Sequence, residues 1–169
     1  MIHFLLNGKQ IILASASPRR KQIFDLVGIK ALQVPPKLDE TNTLKNPIKL
    51  VKLHAANKAA QVASQFSSDC IIVAADTIVY HQREILGKPQ DKFQAIEYLR
   101  RLSGCCHYVY TGIAISYKHH LTSNYTRSQV LFNNLSSNEI KCYIDTGEPF
   151  DKAGAYGIQG YGSQFISKI

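Results

Sequence analysis

Ile11-Ile12-Leu13-Ala14-Ser15-Ala16-Ser17-Pro18-Arg19-Arg20 reads as a strand that runs directly into the start of a helix. Four consecutive apolar residues suit a strand buried on both faces. Ser17 is a residue that caps free backbone N–H groups, and Pro18 suits the first helical position. Ile23, Leu26 and Val27 then supply a buried stripe at helical spacing, and Gly28 supplies the stop. Arg19 and Arg20 are misplaced in such a first turn, because cations there oppose the helix dipole at a cost of about 0.3–1 kcal/mol each. Either they are two solvated arginines on an ordinary capped helix, or a bound polyanion reverses the sign.

The rest of the chain alternates helices and strands, with no repeat and no long linker. Asn46 and Pro47 open a helix with apolar positions at Ile48, Val51, Ala55, Ala59, Val62 and Phe66, and with Lys52 and Lys58 on its opposite flank. Cys70 to Ala75 is a near-continuous apolar strand ending at Asp76, and Thr77 to Leu86 either continues it or returns. Asp91 caps a helix carrying Ile96, Leu99 and Leu102, which Gly104 closes. Residues 105–133 form two long antiparallel strands joined near Lys118 to His120. Ser136 and Glu139 have capping-box spacing ahead of Ile140, Tyr143 and Ile144, and Gly147 ends that helix. Residues 147–162 are too glycine-rich for a regular element, and a loop of this length with aromatic content is functional more often than idle.

Composition narrows the partners. Twenty Lys and Arg against twelve Asp and Glu give a net charge of +8, which favours an anionic ligand, nucleotide or nucleic acid. No basic run, basic-aromatic stripe or Trp speaks for nucleic acid. The 169 residues, 45% of them hydrophobic, allow one domain or two small lobes. The apolar start of the chain is broken by His3 and soon meets Asn7, Gly8 and Lys9, so it is neither signal peptide nor membrane span. The four cysteines lack metal-ligand spacing and read as ordinary thiols; His81, His107, His119 and His120 read as surface or packed histidines. Acyl-transfer, Walker and dinucleotide signatures are absent.

An anion site must therefore be assembled from separated pieces. Asp76, at the carboxyl end of a buried strand, occupies the position where ligands bind in open α/β sheets, with the Thr77 hydroxyl beside it. Glu40, in Leu38-Asp39-Glu40, is a second acid; if it converges with Asp76, the pair offers hard oxygens to magnesium or manganese. Arg19 suits bidentate contact with phosphate, while Lys58 and Lys88 are mobile point charges, Lys88 being framed by Gly87 and Pro89.

These segments, in this order, resemble the Maf-type nucleotide pyrophosphatases: SASPRR at 15–20, Leu38-Asp39-Glu40, Ala75-Asp76-Thr77, Leu86-Gly87-Lys88-Pro89, Leu102-Ser103-Gly104 and TGEPFDKAGAYGIQG at 146–160. The resemblance implies an α/β fold of Maf/ITPase type, a mixed β-sheet with flanking helices and two lobes around a nucleotide cleft. It further implies a cytoplasmic homodimer and divalent-metal-dependent hydrolysis of a nucleoside triphosphate to monophosphate and pyrophosphate. Asp76-Thr77 and the Asp151–Gly160 loop resemble the branch acting on dTTP and UTP rather than the branch preferring 7-methyl-GTP. By that likeness Asp76 is the catalytic acid-base residue or metal ligand, with Glu40 as its metal partner. Ser17, Arg19, Arg20, Lys58 and Lys88 bind phosphate, while Arg19, Thr77 and Gln159 set specificity. A glutamine amide can both donate to a pyrimidine carbonyl and accept from its ring N–H.

Two features depart from the family pattern. Pro35-Pro36-Lys37 stand where acidic residues often precede the Asp-Glu pair, and residues 1–169 form a single domain of this type without its usual C-terminal segment. The alternative functional class is a non-catalytic nucleotide- or nucleic-acid-binding protein affecting septum formation.

Overall fold

The computed structural model describes residues 2–38 and 44–169. Its helices are α1 (Ile2–Leu5), α2 (Pro18–Leu26), α3 (Pro47–Ala63), α4 (Lys92–Leu102) and α5 (Ser137–Asp145). The strands are β1 (Ile11–Ala14), β2 (Leu32–Gln33), β3 (Ile71–His81), β4 (Glu84–Leu86), β5 (Cys106–Tyr117), β6 (His120–Phe132) and β7 (Ile166–Lys168). The strands are hydrogen-bonded in the order β2-β1-β3-β5-β6-β7, with β4 paired to β3. Parallel pairs at β1 and antiparallel pairs at β4 and β7 make the sheet mixed. The chain divides into two compact units, Met1–Asp76 with Thr111–Tyr125, and Thr77–Tyr110 with Thr126–Ile169.

In the first unit the wholly buried β1 lies parallel to β2 and to β3, with Ile11 opposite Ile71 and Ala14 opposite Ala74. Parallel neighbours require crossovers, and α2 and α3 supply them. Helix α3 is started by Asn46, whose Oδ1 accepts from the Lys49 N–H at 3.0 Å. It lays Ala55, Ala59 and Val62 on Ile12, Ala14, Ile72, Ala74 and Ala114. The small side chains allow close approach, and at Gly112 of β5 an added Cβ would lie 2.1 Å from the Val51 carbonyl oxygen. The helix therefore rests almost backbone to backbone on the sheet.

Two expectations fail here. Helix α2 buries no residue: Ile23, Leu26 and Val27 are exposed, Leu26 at 87%. Helical periodicity identifies a common face but not a partner for it. Lys58 lies on the packed face of α3 rather than its solvated flank, because Asp76 gives its ammonium a buried counter-charge.

In the second unit Val79, Leu86, Leu99, Leu102, Phe132, Ile140, Tyr143, Tyr156 and Phe165 form the core. Asp91 caps α4 through a 2.8 Å bond from the Gln94 N–H, and Ser136 with Glu139 forms the capping box of α5. Strand β3 does not end at Asp76. Its alternation of half-buried and buried residues continues past Asp76 to Ile78, Val79 is buried as well, and the strand turns back to β4 through Gln82 and Arg83, both at positive φ as a two-residue hairpin requires. Lys118 and His119 turn β5 into β6 in the same way. The 147–162 loop contains short 3₁₀ turns at Glu148–Asp151, Ala153–Ala155 and Tyr161–Phe165.

His107 is 1% exposed, stacked edge-on against Phe132 and Tyr156, with Nε2 2.6 Å from the Tyr156 hydroxyl. Burial, helped by the neighbouring His81 charge, pushes its imidazole down from 6.5 to about 4. Between those values the unfolded chain binds the extra proton, so stability falls as pH falls. At pH 5 the loss from this residue is about 2 kcal/mol relative to neutral pH. Urea unfolding between pH 7.5 and 4.5 checks this against His107→Gln, whose amide oxygen can still accept from Tyr156. The variant is expected to show a flatter slope; identical slopes would acquit His107.

Candidate active site

The chain leaves β1 at Ser15, which is buried. The Ser15 hydroxyl oxygen accepts from the Ser17 N–H at 3.2 Å and from Arg20 Nη1 at 3.1 Å. Arg20 Nη1 also donates to the Ala75 carbonyl at 2.7 Å. Gln33 Nε2 donates to the carbonyls of Ser15 and Ser17 at 2.8 and 3.3 Å, so β2 braces the same turn. Ser17 occupies the N-cap position of α2, but its side chain makes no capping bond; the expected cap is corrected to a turn centred on Ser15. Arg20 thus ties α2 to the backbone beside Asp76, and Arg19 lies half-buried in the same first turn.

Asp76 continues the face of β3 that carries Ile72 and Ala74, just past the last pair with β1. Because Ala55, Ala59 and Val62 cover that face earlier in the strand, the preceding turns of α3 bring His54 and Lys58 over Asp76. Lys58 Nζ donates to Asp76 Oδ1 at 2.6 Å, and His54 Nδ1 lies 3.1 Å from Oδ2. Asp76, His54 and Lys58 are 5%, 7% and 7% exposed. Burial alone would push the Asp76 carboxyl up; the hydrogen bond from His54 and the Lys58 ammonium outweigh it and hold the carboxyl below its ordinary value. The group is therefore ionised at neutral pH, in the state that accepts a proton or binds a cation.

Sequence reasoning missed His54 and Ser15. The signal for His54 was present, since it shares the packed stripe with Val51, Ala55, Ala59 and Val62, where a polar residue demands a buried partner. Asp39 and Glu40 lie outside the described residues. Among the described residues, no group of three or more His, Cys, Asp or Glu is placed to hold a metal ion. The ionised Asp76 carboxylate still suits a magnesium ion, which takes one or two carboxylates and completes its shell with water and phosphate oxygens.

In the second unit Thr77 is half-buried, and Lys88 and Gln159 are exposed. The segments bearing the latter two are joined where Gly154 N–H donates to the Gly87 carbonyl at 2.9 Å. Glu148 organises the loop that presents Gln159. Its carboxylate accepts from Tyr143 Oη at 3.0 Å, the Tyr161 N–H at 2.7 Å and the Gly162 N–H at 3.2 Å. Lys152 Nζ donates to the Glu148 carbonyl at 2.7 Å. A Cβ at Gly160 would stand 2.4 Å from Glu148 Oε2, so this wrap leaves room only for glycine next to Gln159.

The fold resembles that of the Staphylococcus aureus Ham1 protein, with a TM-score of 0.56 at 14% identity over 94% of this chain and 80% of that one. A protein of Bacillus cereus (strain ATCC 10987 / NRS 248) named dTTP/UTP pyrophosphatase is 46% identical over 96% of this chain and 80% of its own length. A Bacillus anthracis (strain CDC 684 / NRRL 3495) protein of the same name is 44% identical over 95% of this chain and 84% of its own. No described helix is long and apolar enough to cross a membrane. The family description "Maf-like protein" matches residues 10–169, which take in the Ser15 turn, the buried Asp76 group and the Glu148 loop alike; the chain belongs to the Maf-like protein family.

Proposed function

We propose that this protein hydrolyses dTTP and UTP to the nucleoside monophosphate and pyrophosphate. The observation that carries the reading is the buried Asp76 carboxylate, kept ionised between Lys58 and His54, in a chain whose relatives bear the name dTTP/UTP pyrophosphatase. A water oxygen attacks the α-phosphorus, the bond from that phosphorus to the bridging oxygen breaks, and pyrophosphate carries away the bond's electrons. Asp76 serves this step by accepting the water's proton or by holding a divalent cation; both need the ionised form. Arg19, Lys58 and Lys88 neutralise the triphosphate, while the Ser17 and Arg20 turn holds the first turn of α2 toward phosphate. Magnesium or manganese, bound by Asp76 with Glu40, would supply further charge neutralisation. The same reading carries a cytoplasmic homodimer.

Gln159 reads the pyrimidine edge, with Thr77 and Arg19 assisting. Pyrophosphate release from dTTP, UTP, CTP, ATP, GTP and 7-methyl-GTP, with magnesium and with manganese, tests the whole proposal in the wild type and in Gln159→Ala. The wild type is expected to prefer dTTP and UTP. The variant is expected to lose about 1–3 kcal/mol of discrimination for dTTP over ATP, as paired polar contacts disappear. Orthophosphate as first product, or preference for 7-methyl-GTP, would overturn the assignment. Equal loss on every substrate in the variant would remove Gln159 from base reading.

A further inference from the structure

We infer that His54 is a positioning residue for Asp76, fixing the plane of its carboxylate for the reaction; the inference rests on the catalytic reading of Asp76. A carboxylate turns easily about its last side-chain bond, whose torsional preference is broad. Lys58, 2.6 Å from Oδ1, does little to stop that rotation, because an ammonium on a four-carbon stem follows the oxygen as a mobile point charge. The imidazole of His54 is different. It is a rigid ring, 7% exposed, projecting from α3 one turn before Lys58, with Nδ1 3.1 Å from Oδ2. With Lys58 charging Oδ1, the fixed ring against Oδ2 sets the carboxylate plane and thereby the direction of the remaining lone pairs. An ionised carboxylate only accepts, so the ring must carry its proton on Nδ1.

The helix itself cannot drift, because Gly112 and the alanine contacts hold it close to the sheet. His54 thus converts a packing distance into an orientation at Asp76. A histidine kept only for packing would be replaceable by an apolar side chain of similar size without effect on turnover. A positioning histidine would not, since small misalignments of a reacting group lower rates steeply.

The test compares His54→Leu with His54→Asn, whose Nδ2 stands near the place of Nδ1 and can donate to Oδ2. His54→Leu is expected to lower kcat for dTTP about 10–100-fold with KM changed less than about threefold, and His54→Asn to recover most of kcat. Wild-type kcat in His54→Leu would overturn the proposal, as would equal slowing in the two variants at matched unfolding temperatures. Should His54→Leu fail to fold, nitrogen-15 NMR of the wild-type ring decides: a proton on Nδ1 is expected, and a proton on Nε2 alone overturns the proposal. Asp76→Asn is the control. Full turnover in that variant defeats the catalytic reading itself, whereas an inactive Asp76→Asn beside a fully active His54→Leu defeats only the role of His54.

Discussion

Replacing Asp76 with asparagine is expected to lower kcat for dTTP by about 10²–10⁴-fold, the range general acid-base groups contribute. Asparagine keeps the shape of the side chain but loses its charge and its capacity to accept a proton. The structure adds a second consequence. Lys58 is buried and its ammonium lies against Asp76 Oδ1, so the substitution strands a charge in the interior of the first unit. Breaking a buried pair from one side costs about 3–5 kcal/mol, whereas replacing both partners with uncharged groups costs far less. Asp76→Asn is therefore expected to be markedly less stable in urea, and Asp76→Asn with Lys58→Met to recover stability without recovering turnover. Turnover within tenfold of wild type in the single variant would remove Asp76 from the chemistry. A double variant as unstable as the single one would show that the pair is not the source of the loss.

Gly112→Ala is expected to destabilise the protein by more than about 4 kcal/mol, near the upper end for one substitution. The added methyl would lie 2.1 Å from the Val51 carbonyl oxygen, 2.4 Å from its carbon and 3.0 Å from the Lys52 nitrogen. All three are backbone atoms inside α3, and no side-chain rotation clears them. The helix must lift, which loosens the contacts of Ala55 and Ala59 and draws His54 and Lys58 away from Asp76. Urea unfolding measures the first effect, and turnover of the folded fraction measures the second. A change below about 1 kcal/mol would mean that α3 can shift on the sheet without penalty.

What the sequence disclosed was mostly local chemistry. Asn46, Asp91 and the Ser136–Glu139 pair announce helix starts because a cap is made within a few residues. Gly28 is read correctly for the same reason: it stands at positive φ, and the Gly28 and Ile29 N–H groups bond back to Asp25 and Phe24. The failures need distant information. Whether Ile23, Leu26 and Val27 are covered depends on what packs against α2, and the burial of Lys58 depends on a carboxylate 18 residues away. Asp76 was singled out from its apolar run, yet the strand continues past it, because the β-prone run Thr77-Ile78-Val79-Tyr80 follows and its end pairs with β4. At the site, Asp76 was singled out within its Ala75-Asp76-Thr77 motif and Lys58 only as a cation, without the pairing between them. The residue completing their geometry, His54, carried no motif; its place on the apolar stripe signalled a buried partner, but which one was set only when α3 was laid on β3.

Helix α2 has an unusual standing in this molecule. It buries no side chain, lacks a side-chain N-cap, carries two arginines where its dipole disfavours them, and is moored at its start by Arg20 and at its end by the Gly28 turn. A nine-residue helix with so little packing is expected at the low end of local stability, where opening would proceed without unfolding either core. A phosphate group settling on its first turn would bind the closed form alone, so the measured affinity is the intrinsic one scaled by the fraction of time α2 is closed. On the proposed phosphate role of that turn, nucleotide recognition would be coupled to the breathing of a single helix, and a substitution on its solvent side would tune affinity without touching the ligand.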